Sequence, residues 1–557
     1  MMRLLLSLLM LASLAIGLPA ADPTPATTAG SATNAAPATP ANADLEKRIK
    51  AAHEWFGNTY VPYTEEEKKA LAEAETLLKK NPQDLAAKKL VDDKAAQDAI
   101  AYKDKEEREV AVPAALNNGD NAWMLISTAL VLLMTIPGLA LFYGGLVRKK
   151  NLLSTMMHSW ILCGLITVLW VAFGFSWAFG GGPVDAAGAP TLLAKFFGGW
   201  DYLMLKGVLF DDNLYTTAQR FVINTDYAPT INFGIFCMFQ LMFAIITPAL
   251  ISGAYAERIK FSGMLVFTVI WFCCAYLPLA HMVWGKNGLF NWGFGASDWA
   301  AFDFAGGTVV HISSGIAALV ISIFLGKRKG YPESPMPPHS LTLSVIGAAL
   351  LWFGWFGFNA GSALGANGLA VVAFVNTMVS TAAAALSWPL AEWLIRGKPT
   401  VLGSISGAVA GLVAITPACG FVTPGSALII GLIAGALCFT STSYLKRALG
   451  YDDALDAFGV HGIGGMFGAI ATAIFFNVES NPGIAALNPD LYRAIANGSQ
   501  GLLGNQLKAV LITIVISAVI SVIALLIAKY TVGLRVSAED ESTGLDLSQH
   551  GEEGYNS

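Results

Sequence analysis

Charge is what this chain of 557 residues has least of: Asp, Glu, Lys and Arg together make up 13% of it, against about 25% in globular domains. That scarcity excludes an ordinary soluble domain. Net charge is only −5 and is spread over apolar and tail segments, so the chain has no use for a nucleic-acid partner. Cysteine is scarce as well. Of the six, Cys163, Cys237, Cys273, Cys274 and Cys438 fall inside apolar stretches and Cys419 stands alone in a short connection, which excludes a disulfide framework and leaves packing as their role. No nucleophile–base pair or metal-ligand cluster stands on the aqueous segments, so neither an enzyme nor a cofactor or metal is expected. What abounds is apolar: 55% of residues, a mean hydropathy of +0.56 and 56 glycines. Glycines and runs such as Ala382-Ala383-Ala384-Ala385 suit helices packed closely inside a bilayer.

This composition implies an all-α polytopic membrane protein. Apolar stretches at 121–146, 152–178, 230–253, 262–281, 303–325, 341–358, 369–395, 401–416, 426–444, 454–476 and 509–530 are each near the ~20 residues a crossing helix needs. About eleven transmembrane helices put the two ends of the bundle on opposite sides. Spans one to five and six to ten have opposite membrane orientations because five is odd, which makes an inverted repeat. Basic residues mark alternate connections: Arg148-Lys149-Lys150, Arg258 with Lys260, Lys327-Arg328-Lys329, Arg396 with Lys398, Lys446-Arg447, and Arg535. These are expected to be cytoplasmic. The connections 180–228 and 477–506 are poor in Lys and Arg and are expected outside.

Ahead of the spans, Arg3, the apolar run Leu4–Leu18 and Pro19-Ala20-Ala21-Asp22 match a secretory signal, so 1–21 is expected to be cleaved, leaving the N-terminus outside and the C-terminus cytoplasmic. The competing reading is a retained, short twelfth helix. Residues 22–43 read as a disordered Ala/Pro/Thr linker. Residues 44–112 read as a charged helical extension outside, with Thr64 before Glu65-Glu66-Glu67 as a helix start and Asn81-Pro82 as a break. A single helical-hairpin repeat and a solvated helical pair both fit it. The transmembrane domain then covers 113–536, and 537–557 is a polar tail.

Two histidines lie inside uncharged apolar stretches, each eight residues after an aspartate: Asp303 before His311, and Asp453 before His461. Ionisable groups at membrane depth are expensive enough to signal function. Matching glycine-rich contexts in the two halves point to one element used twice, in a chain that moves something small across a membrane. Two neutral imidazoles sharing a hydrogen bond can line a narrow tube and relay protons. Satisfied core histidines are the alternative. A metal site is disfavoured, because no Cys or acidic third ligand shares those stretches.

The segment Asp303-Phe304-Ala305-Gly306-Gly307-Thr308-Val309-Val310-His311 resembles the signature of the ammonium transporter family, on its bacterial Amt branch. Further matches follow in order: Asp120-Asn121-Ala122, Phe142-Tyr143-Gly144-Gly145, Ala256-Glu257-Arg258, Ala280-His281-Met282-Val283-Trp284-Gly285, Gly354-Trp355-Phe356-Gly357-Phe358-Asn359-Ala360-Gly361-Ser362, Phe458-Gly459-Val460-His461-Gly462 and Thr531-Val532-Gly533-Leu534-Arg535-Val536. The resemblance runs from Asp120 to the C-terminus and is silent about 22–112. It implies that an eleventh helix wraps the outside of the inverted 5+5 repeat, and that the protein carries ammonium or ammonia, with methylammonium as an analogue. It also implies a homotrimer in the lipid of the bacterial inner membrane.

By the same resemblance Phe239, Phe243, Trp284 and Ser362 bind the substrate at an outer vestibule, with the Ser362 hydroxyl accepting a proton of ammonium. Aromatic faces can replace part of a cation's hydration, although a Trp at a span end also fits the interfacial belt. Phe243 and Phe358 correspond to the family's stacked gate, and core packing would suit both rings equally. His311 and His461 correspond to the twin pore histidines. The Asp303 carboxylate could attract the cation directly or hold the loop that presents Trp284 by accepting backbone hydrogen bonds; the resemblance favours an indirect structural and electrostatic role behind the recruitment site, with Asp456 expected to do equivalent work on the inner side. The tail, with Gly544-Leu545-Asp546 and His550-Gly551-Glu552, is implied to pack under a neighbouring subunit, and the cytoplasmic face to receive a PII-type signal protein. The basic loops at 258–260, 327–329 and 396–398 could steer such a partner. Rival readings are an Rh-type channel for ammonia or carbon dioxide, and an ammonium sensor.

Overall fold

The computed structural model describes residues 116–186, 188–210, 222–293, 299–481, 483–484, 488–496 and 501–555, together with Thr76. The expected signal, linker and extension lie outside the described residues, apart from Thr76. Among the described residues, nine helices are long and apolar enough to cross a membrane: α1 Asn118–Leu146, α2 Lys149–Phe179, α3 Phe233–Tyr255, α4 Phe261–Trp284, α5 Gly307–Leu325, α6 Leu341–Gly361, α7 Gly368–Arg396, then α9 Pro424–Leu449 and α11 Leu502–Thr531. Two shorter apolar helices, α8 Val401–Ile415 and α10 Phe458–Ile474, complete the eleven. No β-strand appears among the described residues.

Capping explains most of the starts. Asn117, Asn232, Ser340, Asn367, Thr400 and Thr423 each accept a backbone N–H from the first turn of α1, α3, α6, α7, α8 and α9, satisfying donors that a helix leaves open in an apolar medium. Helix α1 is broken at Ile136 (φ −128°, ψ 112°) just before Pro137, as a proline without an N–H requires. Two starts fall four residues later than the hydropathy suggests. Helix α5 begins at Gly307 rather than 303 and α10 at Phe458 rather than 454, because the preceding residues form aspartate-held turns.

Helices α5 and α10 are the paired fifth elements of the two halves, and they cross at glycine. A Cβ on Gly315 would lie 2.2 Å from the Gly462 nitrogen, and one on Gly465 would lie 3.0 Å from the Cβ of His311. Each of these glycines stands four residues after one histidine and admits the backbone that carries the other. Helix α11 packs against α4, α5 and α10 and exposes Leu503, Leu507, Leu511, Val515 and Val519 along one side, the face of an outer helix toward lipid.

One end of the bundle is tied by buried charge. Glu257, in the α3–α4 turn, pairs with Arg148 (2.9 Å) and Arg328 (3.0 Å), and Arg328 also pairs with Asp452 (2.9 Å). Arg258 donates to the carbonyls of Gly326 and Asp452. Burial works against the Glu257 carboxylate, but the Arg328 and Arg148 guanidiniums outweigh it and hold its pKa below the usual range. Four connections are thereby fastened together, so Arg148, Arg258 and Arg328 serve as ties. The charges left free to meet a partner on this face are fewer than the sequence suggests.

The tail is also fastened to this face, through its own chain. Asp546 accepts from Leu153 N (3.0 Å) and Ser154 N (2.7 Å) near the start of α2, and Glu541 accepts from Lys329 N (2.6 Å) and Arg535 (2.8 Å). Gly544 has φ +111°, and a Cβ there would lie 2.6 Å from Lys150, so the turn before Asp546 needs glycine for both its conformation and its fit.

Candidate functional site

A file of rings runs through the bundle between α3, α4, α6, α5 and α10. On α3, Phe239 and Phe243 are one turn apart with centroids separated by 5.0 Å. Phe243 meets Trp284, at the end of α4, edge-on at 5.7 Å, and lies 4.2 Å from Phe358 of α6 with a 33° tilt. Both phenylalanines are fully buried. A Cβ on Gly361 would come within 2.9 Å of the Phe239 ring, so this glycine lets α6 approach α3 closely.

Beyond the phenylalanines come the two imidazoles. His311 Nδ1 and His461 Nδ1 are 3.3 Å apart, with ring planes 18° from parallel. One nitrogen of that contact must carry the proton and the other accept it. Among the described residues His311 Nε2 has no hydrogen-bond partner. Trp355 lies over His311 at 5.4 Å and 21°, and its own Nε1–H donates to Thr416 Oγ1 at 2.8 Å. The Thr416 hydroxyl in turn donates to Leu412 O (2.7 Å), leaving a lone pair for the indole. His461 reaches a cavity of about 280 Å³ lined also by Tyr143, Glu392, Arg396, Asp456 and Val460. The file therefore ends at an opening on the side of the bundle that carries the ionic ties.

At the other end, Asp303 organises the start of α5. Its carboxylate accepts from Gly306 N (2.8 Å), Gly307 N (2.6 Å), Thr308 N (2.7 Å), Val309 N (3.3 Å) and the Thr308 hydroxyl. Its main-chain oxygen accepts from the Trp284 indole at 3.1 Å. The side chain is spent on the backbone and faces no open space, while the same residue anchors Trp284. Ser362, half-buried at the end of α6, donates its hydroxyl hydrogen to Phe358 O at 2.8 Å. Its remaining lone pairs can only accept.

Asp456 does not take the equivalent place in the second half. It has φ +61° and pairs with Lys446 at 2.7 Å, whereas Asp453 is fully buried and accepts from Phe458 N at 2.7 Å. The turn before α10 is held by Asp453, and the expectation for Asp456 is corrected accordingly. Burial pushes the Asp453 carboxyl up to about 6, with the Lys446 ammonium acting against that rise. The eight-residue spacing to the histidine in both halves was the signal for this assignment. Trp355, Thr416, Gly315 and Gly465 were not singled out from sequence. The repeated His-x-x-x-Gly pattern could have exposed the two glycines.

Comparison with known proteins gives consistent matches. The model of the Ammonium Transporter Family matches residues 122–555. An ammonium transporter of Bacillus subtilis is 46% identical over 437 residues, covering 78% of this chain and 98% of that relative. Among solved structures, Mep2 of Saccharomyces cerevisiae superposes with a TM-score of 0.65 at 31% identity, covering 77% of this chain and 90% of that one. A structure described as a sensor Amt protein superposes with a TM-score of 0.65 at 27% identity, over 78% of this chain and 98% of that one.

Proposed function

We propose, from the premise that this chain belongs to the Ammonium Transporter Family and is a multi-pass ammonium transporter, that it recruits ammonium as the ion and passes it through the ring file as ammonia. The observation that carries this reading is the unbroken sequence of rings from Trp284 through Phe243 and Phe358 to His311 and His461, ending at a cavity.

Ammonium arriving at the outer vestibule trades water for the faces of Trp284 and Phe239 and for the lone pairs of Ser362. Four N–H donors then need acceptors, and beyond the phenylalanines acceptors are few. Carrying the intact ion to mid-membrane would cost from about 2.5 to well over 10 kcal/mol. Neutral ammonia escapes that penalty. Loss of one proton near Phe243 and Phe358 leaves ammonia to pass when the rings swing apart, and a paired apolar constriction of this kind also excludes water and ions by dewetting. Ammonia can then donate to the unpartnered His311 Nε2, while the released proton travels separately over the imidazole nitrogens. No covalent step is required.

Replacing Trp284 with Leu tests the recruitment step. It keeps an apolar side chain and removes the π face, a loss of up to about 2 kcal/mol, or on the order of thirtyfold in half-saturation for ammonium. Uptake titrations on reconstituted protein read this directly. Unaltered affinity and selectivity against sodium would assign Trp284 to the interfacial belt.

The face that carries the ionic ties is read as cytoplasmic, the membrane as the bacterial inner membrane, and the assembly as a homotrimer with one pore per subunit. On that face a PII-type signal protein would cover the cavities, and the docked tail would couple its grip to the pores. Truncation after Val536 removes Glu541 and Asp546 from their backbone donors. It is expected to lower flux and to abolish inhibition by a co-reconstituted PII-type protein without preventing insertion. Full flux with normal inhibition would contradict that role.

A further inference from the structure

His281, buried in the last turn of α4, carries a contact pattern that a neutral imidazole does not satisfy. Its Nδ1 lies 2.9 Å from the carbonyl oxygen of Ala178, and its Nε2 lies 2.8 Å from that of Ala194. A carbonyl oxygen only accepts, and a neutral imidazole has one N–H. In the neutral ring one of the two contacts would set a lone pair against a lone pair at hydrogen-bonding distance. The imidazolium makes both bonds.

The surroundings favour the cation for a second reason. Ala178 lies in the last turn of α2, Ala194 in the short helical turn Leu192–Lys195, and His281 itself in the last turn of α4. The ends at which carbonyls are left unpaired carry partial negative charge, and these ends converge on one ring. Burial opposes a charge there, and two charge-assisted hydrogen bonds oppose the burial. Four of the charged and titratable groups on the neighbouring elements, Asp201, Asp226, Tyr227 and Lys286, are engaged elsewhere. Asp201 accepts from Gly181 N, Lys286 pairs with Asp226, and the Tyr227 hydroxyl donates to Phe179 O and accepts from Lys286 N. Lys195 belongs to the short turn and lies beside Ala194 in sequence. Among the described residues the ring nitrogens bond only the two carbonyls. The turn after α4 also wraps the ring, since a Cβ on Gly285 would lie 2.4 Å from Nδ1.

We propose that His281 is a permanent buried imidazolium that ties the outer end of α4 to α2 and to the Leu192–Lys195 turn, and so sets the position of Trp284 three residues later. His281 is a positioning residue, and its effect on substrate rests on the recruitment reading of Trp284. The charge state stands on its own geometry. The test uses full-length protein with nitrogen-15-labelled histidine in lipid nanodiscs, the His281 signal being assigned by its loss in His281→Gln. The expected spectrum near neutral pH shows both ring nitrogens protonated. A ring with a single N–H overturns the proposal. In liposomes His281→Gln, which keeps one donor, is expected to raise half-saturation for ammonium about tenfold with maximal rate changed less than about twofold. An imidazolium signal in the wild type with unchanged half-saturation in His281→Gln overturns the positioning role. Trp284→Leu separately reports whether the recruitment reading itself has failed.

Discussion

His311→Ala and His461→Ala, singly or together, are expected to abolish ammonium-specific transport while leaving the protein inserted and assembled. Each variant removes half of the Nδ1···Nδ1 contact at 3.3 Å and strands the surviving nitrogen in a buried site, a penalty of about 1–3 kcal/mol. The folded state can absorb that loss, because ΔG of unfolding is typically about 5–15 kcal/mol. Transport cannot absorb it in the same way, because the imidazoles supply the polar atoms below Phe358 that ammonia and the proton would use. Removing the His461 side chain also opens the file directly to the cavity it lines. The check is the ammonium-jump current of purified, reconstituted protein. An unchanged ammonium current in a correctly assembled double variant would remove the histidines from the account.

Asp303→Ala should be the most damaging single change at the end of the file opposite the cavity. It deprives the Gly306, Gly307, Thr308 and Val309 amides and the Thr308 hydroxyl of their acceptor. At about 1–3 kcal/mol for each stranded buried donor, even partial loss consumes much of a typical stability margin. The start of α5 should unwind and the anchor of the Trp284 indole should shift with it. We expect uptake to fall to background and the apparent unfolding temperature to drop by several degrees. Asp303→Asn presents an amide NH₂ to some of the same donors and should be only partly rescued. Normal uptake with unchanged thermal stability in Asp303→Ala would show that the carboxylate holds nothing essential.

The helices were legible from the sequence because hydropathy over about 20 residues is a strong signal in a chain with so few charges. The two histidines were legible because they recur in matching contexts. What the sequence did not display is the contact between them, which joins positions 150 residues apart and depends on where α5 and α10 cross. That crossing rests on Gly315 and Gly465, which composition alone does not mark among 56 glycines; only their shared place four residues after each histidine does. Asp456 was chosen over Asp453 by proximity to the histidine, whereas backbone geometry decides which carboxylate can reach the helix start. The basic loop residues had been read as orientation signals and a steering surface. Of the steering loops, Arg258 and Arg328 are held by buried partners, which only long-range contacts could reveal. The indole of Trp355 was quoted within a motif without a role, because its stacking on His311 and its bond to Thr416 join three separate spans.

The central claim is that ammonium gives up a proton before it crosses the file. Potassium has the same charge and nearly the same size but no proton to give up, so paired concentration jumps of the two ions on the same proteoliposomes separate the alternatives. The account predicts saturable uptake and current with ammonium and none with potassium, because a cation kept whole meets the full mid-membrane penalty. A potassium current comparable to that of ammonium would contradict it, since the intact ion would then be crossing the path.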